Sequence, residues 1–137
     1  MDPESVVAIF NHWKITTGHA RARMDIKRAQ VIRDRLRDGY EPEDLMLAID
    51  GNMASAWHQG ENDRGQAYND IGLILRDAAH VDRFLAMGEQ AHRMIAQRQQ
   101  REEKAAAQQE QERRAPTEEE KQRVRELLRS CKIRRVA

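Results

Sequence analysis

The sequence predicts an all-α fold: a small helical bundle, then a long charged helix or linker, then an amphipathic C-terminal helix. Three observations carry this reading. Large apolar residues recur at intervals of three and four rather than alternately, which is the period of a helix with one buried face. The recurring stretches open on cap signals and close on glycine or proline. Nearly all the large apolar residues lie before residue 96 of the 137, and nothing on the apolar side of residues 97–114 is larger than alanine. The domain limits follow as a bundle over 1–96, a Gln/Glu/Arg/Ala-rich helical linker over 97–116 and a basic amphipathic helix over 117–137.

The first helix is expected from Asp2 as N-cap and Pro3 as first helical residue, because the cap accepts a free amide and proline lacks one. Val6, Ile9, Phe10 and Trp13 follow in register, and Thr16-Thr17-Gly18 ends the helix. Asp25 caps the second, whose apolar face is Ile26, Ala29, Ile32 and Leu36, with Gly39 as its stop. The third begins after Glu41-Pro42 and presents Leu45, Met46, Ile49 and Met53. Gly60, Asn62-Asp63 and Gly65 make residues 55–66 a loop. Tyr68 to Leu75 is a short apolar segment of one or two helical turns. A long helix runs from about His80, with Val81, Phe84, Leu85, Ala91 and Ile95 in a stripe and Gly88 allowing a close neighbour. Pro116 breaks it, and Thr117-Glu118-Glu119-Glu120 reads as a capping box. The last helix places Val124, Leu127, Leu128 and Cys131 on one side, among seven basic residues between Lys121 and Arg135. The core expected from these registers contains Phe10, Trp13, Ile32, Leu36, Leu45, Ile49, Leu75 and Phe84.

Charge is informative in its distribution rather than its sum. The net charge is +1, but eight basic residues face three acids between Lys14 and Asp38, enough for a basic surface patch. On a helical wheel Arg28 and Arg35 lie one heptad apart and opposite the apolar face, with Lys27 beside them and Arg21 and Arg23 in the preceding loop. Guanidinium groups in a row suit phosphate oxygens; a solvated face with Arg–Asp pairing is the plainer alternative. The loop around Trp57 offers a π-face from Trp57 or His58 and polar contacts from Asn62 and Arg64. Its structural alternative has Trp57 packing as a lid on the bundle while Asn62 and the glycines make turns.

Other chemistry finds little support. His58, Glu61 and Asp63 are close in sequence but lack ligand spacing, as do His12, His19, His80 and His92, so no metal is expected. Nucleophile motifs, a phosphate-binding loop and a dinucleotide fingerprint are absent, so neither an enzyme nor a cofactor is expected. The single Cys131, on an apolar stripe, reads as a small packing residue. One cysteine allows no intrachain disulfide, the Met-Asp-Pro-Glu-Ser start is not a signal peptide, and no apolar run reaches the roughly 20 residues of a membrane span. The expected location is the cytoplasm.

The runs Phe10-Asn11-His12-Trp13 and Thr17-Gly18-His19-Ala20-Arg21-Ala22-Arg23 resemble the opening of a small helical domain in phage and prophage replication proteins. Lys27-Arg28, Arg35-Leu36 and Asp38-Gly39-Tyr40 continue the likeness, as do Glu43-Asp44-Leu45 and Ala48-Ile49-Asp50-Gly51. Trp57-His58-Gln59-Gly60-Glu61-Asn62, Tyr68, Leu75-Arg76-Asp77 and Val81-Asp82-Arg83-Phe84-Leu85 complete it over about residues 6–87. More remotely the stretch is similar to the C-terminal domain of DnaD-type primosome proteins. The resemblance implies DNA as a partner and the host replicative helicase, or another replisome protein, as a second. The usual N-terminal winged helix is missing, so the expectation is non-specific binding through Arg21, Arg23, Lys27, Arg28, Arg35, His58 and Arg64. Without a phosphate-binding loop, any help in loading a helicase comes from binding and not from ATP hydrolysis. In the tail, Val124, Leu127 and Leu128 would anchor a partner and Arg123, Arg125 and Arg129 would steer toward an acidic groove. Pairing with a second copy, giving a homo-oligomer, is another way to cover that face. The competing reading is a protein-interaction module that captures or inhibits a host protein through the tail alone.

Overall fold

The computed structural model describes residues 2–136, with side chains described through Cys131; Lys132, Arg134 and Arg135, counted among the basic residues of the tail, lie outside the described side chains. The order is α1 (Pro3–Thr17), α2 (Ile26–Arg37), α3 (Pro42–Ala54), α4 (Ile71–Ile74), α5 (Ala78–Arg114) and α6 (Glu118–Val136). Among the described residues the fold is all-α, the only extended pairing being an isolated antiparallel bridge between Gln59 and Ala67. No described helix is long and apolar enough to cross a membrane.

Local chemistry sets the ends. The Asp2 carboxylate accepts from the Glu4 amide at 3.1 Å and that of Asp25 from the Arg28 amide at 2.8 Å. Asp44 reaches back to the Glu41 amide at 2.9 Å. Each bond satisfies a donor the first helical turn leaves free. Gly18, at φ 77°, closes α1 in the left-handed region that a side chain would resist.

The chain divides into two units, residues 1–96 and residues 97–137. In the first, Ile9, Phe10, Trp13, Ile32, Leu45, Ala48, Ile49, Ile71, Ile74, Leu75, Val81 and Phe84 are buried together. Three expectations need correction. Ile26 is 87% exposed, because it stands about 120° around α2 from the fully buried Ile32. Leu36 is only partly buried, at the margin of the core. Ile95 is exposed, so the buried stripe of α5 ends before it and Gly88 is the last fully buried position of that helix.

Two glycines set the contact between α3 and α5. A Cβ on Gly51 would overlap the Phe84 carbonyl and stand 2.6 Å from the Gly88 amide nitrogen. One on Gly88 would overlap the Leu47 carbonyl. The backbones therefore touch at a point where only hydrogen fits. Beside this crossing the Asp50 carboxylate on α3 accepts from His12 Nε2 of α1 at 2.7 Å and from His92 Nε2 of α5 at 3.0 Å, joining three helices through one side chain.

In the second unit α5 continues as a solvated helix to Arg114. Glu110 bridges Arg113 and Arg114 at 2.8 and 2.7 Å, and these bonds hold its carboxyl below the usual range. The Thr117 hydroxyl accepts from the Glu120 amide at 3.2 Å and starts α6. Cys131, expected to pack, is exposed.

Candidate nucleic-acid interface

The basic surface is built on the α1–α2 connector and the first turn of α2. Arg21, Arg23 and Lys27 are exposed. Arg28 is held in place: its guanidinium lies 5.3 Å from the centre of the buried Trp13 ring and donates to the Arg23 carbonyl at 2.7 Å, with Asp25 at 3.6 Å. The indole thus fixes a cation at the rim of the patch. His19 stacks on the same indole at 4.6 Å.

Arg35 does not continue the ridge drawn by the helical wheel. Its side chain is 13% exposed, and Nη1 donates to the Leu75 carbonyl at 3.1 Å and the Arg76 carbonyl at 2.6 Å. Nε forms an ion pair with Asp38 at 2.8 Å, off the line of a hydrogen bond. The reason is packing on two sides: α2 lies against α1 and also against α4, so its supposed outer face meets the end of α4. Arg35 there satisfies carbonyls that a helix end leaves without partners. The outward cations of α2 are instead Lys27, Arg33 and Arg37, with Arg28 half-covered.

The loop after α3 is held by an amide network that starts in the core. Asn52 is fully buried; its Nδ2 donates to the Tyr68 carbonyl at 3.0 Å, and its Oδ1 accepts from Gln59 Nε2 at 3.0 Å. Gln59 Nε2 also reaches the Asn52 carbonyl at 2.7 Å, and Gln59 Oε1 accepts from Asn69 at 2.9 Å. Asn62 organises the tip. Its Nδ2 donates to the carbonyls of Trp57 and Gln66 at 2.8 and 2.7 Å, and its Oδ1 accepts from the amides of Arg64 and Gln66 at 3.1 and 3.2 Å. Asn62 is thus occupied with turns.

Trp57 covers the bundle only in part. It is 54% exposed, with its ring stacked on Tyr68 at 5.2 Å and 15° and in a T-shaped contact with His58 at 4.9 Å. His58 turns inward, edge-on to Phe84 at 5.0 Å, with Nδ1 at 2.7 Å from the Ser55 hydroxyl. Burial, and then the charge of Arg83, push its imidazole below the usual histidine range. Arg64 is exposed at the loop tip.

Arg23, Lys27 and Arg28 come together at the head of α2. Trp13 Nε1 donates to the Asn69 carbonyl at 2.9 Å, which places the Tyr68–Asp70 segment beside α1 and α2. Lys27 and Arg28 share a cleft with Asp25, Asp70 and Gly72. Arg35 stands apart, at Leu75 and Arg76. No group of three or more His, Cys, Asp or Glu is arranged to hold a metal ion among the described residues.

In the second unit Val124 is 53% exposed and Leu127 and Leu128 60% each. Arg123 and Arg129 are exposed beside them; Arg125 lies 3.7 Å and Lys121 3.3 Å from Glu118.

Sequence reasoning missed Asn52, Gln59 and Asn69. Asn52 had a readable signal, since it stands in the buried register of Leu45, Ala48 and Ile49 and is polar there. Asn52→Ala is expected to leave the Tyr68 carbonyl without its partner and to remove one of the two bonds that Gln59 Nε2 donates, a loss of about 2 kcal/mol, read as a lower midpoint of denaturant unfolding.

No family model, curated protein or solved structure matches the chain.

Proposed function

We propose that this chain is a non-enzymatic accessory protein of bacteriophage DNA replication, acting in the cytoplasm of the host cell. It binds DNA without sequence preference through Arg21, Arg23, Lys27 and Arg28. It brings in the host's replicative helicase, or helps load it, through α6. The observation that carries the reading is the cluster of exposed cations at the head of α2, with Arg28 held over Trp13. Cations fixed on a rigid surface bind phosphates by releasing counterions, a term indifferent to sequence. The resemblance to phage replication domains supplies the biological setting.

The test is fluorescence anisotropy of a labelled duplex across a salt series. Arg23→Ala with Lys27→Ala should weaken binding on every sequence and reduce the log–log salt slope by about one for each phosphate no longer neutralised. Arg35→Ala should lower stability and leave the slope alone. An unchanged slope in the Arg23/Lys27 double variant, with its helicity intact, would refute the reading.

A second reading has a specific observation in its favour. Val124, Leu127 and Leu128 form an uncovered apolar stripe among arginines. On this view the chain is an interaction module that captures or inhibits a host protein through α6, and residues 1–96 bind no DNA.

A further inference from the structure

We propose that the Trp57 loop is a stacking platform for an unpaired nucleobase, so that the protein prefers single-stranded to duplex nucleic acid. The inference rests on the DNA-binding reading and specifies the form of DNA it concerns. An indole more than half exposed is the starting point. Its ring is backed by Tyr68, stacked at 15°. The loop backbone that carries the indole is tied in place. Asn62 ties the Trp57 carbonyl to Gln66, Gln59 is tied to Asn52 and Asn69, and the Tyr68 amide donates to the His58 carbonyl at 2.6 Å. A flat aromatic surface held ready loses little entropy when a base stacks on it, and any of the bases fits. In a duplex both faces of each base are already covered by neighbours, so the platform has nothing to receive.

The direction of a bound strand also follows. Tyr68, beneath the indole, is two residues from Asp70, a span of at most about 7 Å. Asp70 lines the cleft that holds Lys27 and Arg28. On this proposal a strand with one base on Trp57 has those two cations within reach of its next phosphates. Acids lie along the same path. Asp25 and Asp70 are occupied as caps, accepting from the Arg28 and Gly72 amides, while Glu61 and Asp63 are exposed at the loop tip. They weaken the phosphate term, so stacking, which is insensitive to charge, supplies a larger share. Binding of single strands should accordingly depend on salt no more steeply than binding of duplex.

The full chain reports on itself, since Trp13 is fully buried and Trp57 is not. Oligo-dT, oligo-rU and a duplex of equal length are titrated against intrinsic fluorescence and, separately, by anisotropy. Oligo-dT should quench the emission and bind about tenfold more tightly than the duplex. Trp57→Ala should remove that preference and leave duplex binding as it was, while Trp57→Phe should keep most of it. Quenching by oligo-rU equal to that by oligo-dT assigns the platform to unpaired bases on either sugar; a weaker response assigns it to DNA. The proposal is overturned, with duplex binding still standing, if oligo-dT at saturation leaves wild-type emission unchanged or if Trp57→Ala binds oligo-dT as wild type does. Absence of binding to every nucleic acid at low salt removes the DNA-binding reading and this inference together.

Discussion

Gly51→Ala is expected to lower the thermal midpoint of the bundle by more than about 10 °C. The added methyl would sit on the Phe84 carbonyl and close to the Gly88 amide, so relief requires α3 and α5 to move apart. Overpacking that flexible side chains can absorb costs about 1–3 kcal/mol. Here the obstacle is backbone, and about 3 kcal/mol is the expected loss, with each kcal/mol lowering the midpoint by roughly 4–8 °C in a domain of this size. Gly88→Ala should do the same through the Leu47 carbonyl. The two changes touch one crossing, so the double variant should lose less than the sum. Calorimetry on the three variants measures this, and a midpoint within about 2 °C of wild type for Gly51→Ala would show that the helices separate at little cost.

If α6 recruits the replicative helicase as proposed, Leu127→Asp with Leu128→Asp abolishes that capture and leaves the thermal midpoint, and any DNA affinity of residues 1–96, unchanged. Both side chains are 60% exposed, so the substitution removes little packing within the described chain. In a complex each would fill an apolar pocket, and an unpaired carboxylate buried there costs several kcal/mol, enough to lose the partner at micromolar concentration. A pull-down with purified helicase, wild type against double variant, gives the answer; equal recovery would remove α6 from the interface. A helix with no buried side chain among its described residues opens readily. Amides 118–131 of the free protein should therefore exchange far faster than those of α3, and protection equal to α3 would show that the face is already covered.

Features decided within a few residues were legible in the sequence. Asp2 and Asp25 cap helices because a carboxylate next to free amides does so wherever the chain folds. The core register was legible for a similar reason: Phe10 and Trp13, Leu45 and Ile49, and Val81 and Phe84 stand three or four residues apart within their helices. A short helix with scattered apolar residues does not fix the centre of its buried face, and so Ile26, about 120° from Ile32, was misplaced. A wheel assumes one packing partner, and α2 has two, so Arg35 was turned the wrong way. The Asp50 link to His12 and His92 spans 38 and 42 residues, and nothing local announces it. Gly88 was readable as a close approach. Its counterpart Gly51 was not, since a single glycine inside a helix does not show which neighbour needs the room.

That backbone-to-backbone crossing also bears on how the sequence can drift. Where side chains interlock, one replacement can be answered by another across the interface, and a lineage can wander through many pairs. Where a carbonyl occupies the space of a methyl, no second change compensates. Positions 51 and 88 are therefore closed to substitution while much of the surface around them is open. A diverged copy of this fold, unrecognisable elsewhere, should still carry glycine one turn before the loop and again on the fifth helix, and that pair is the mark by which to search for it.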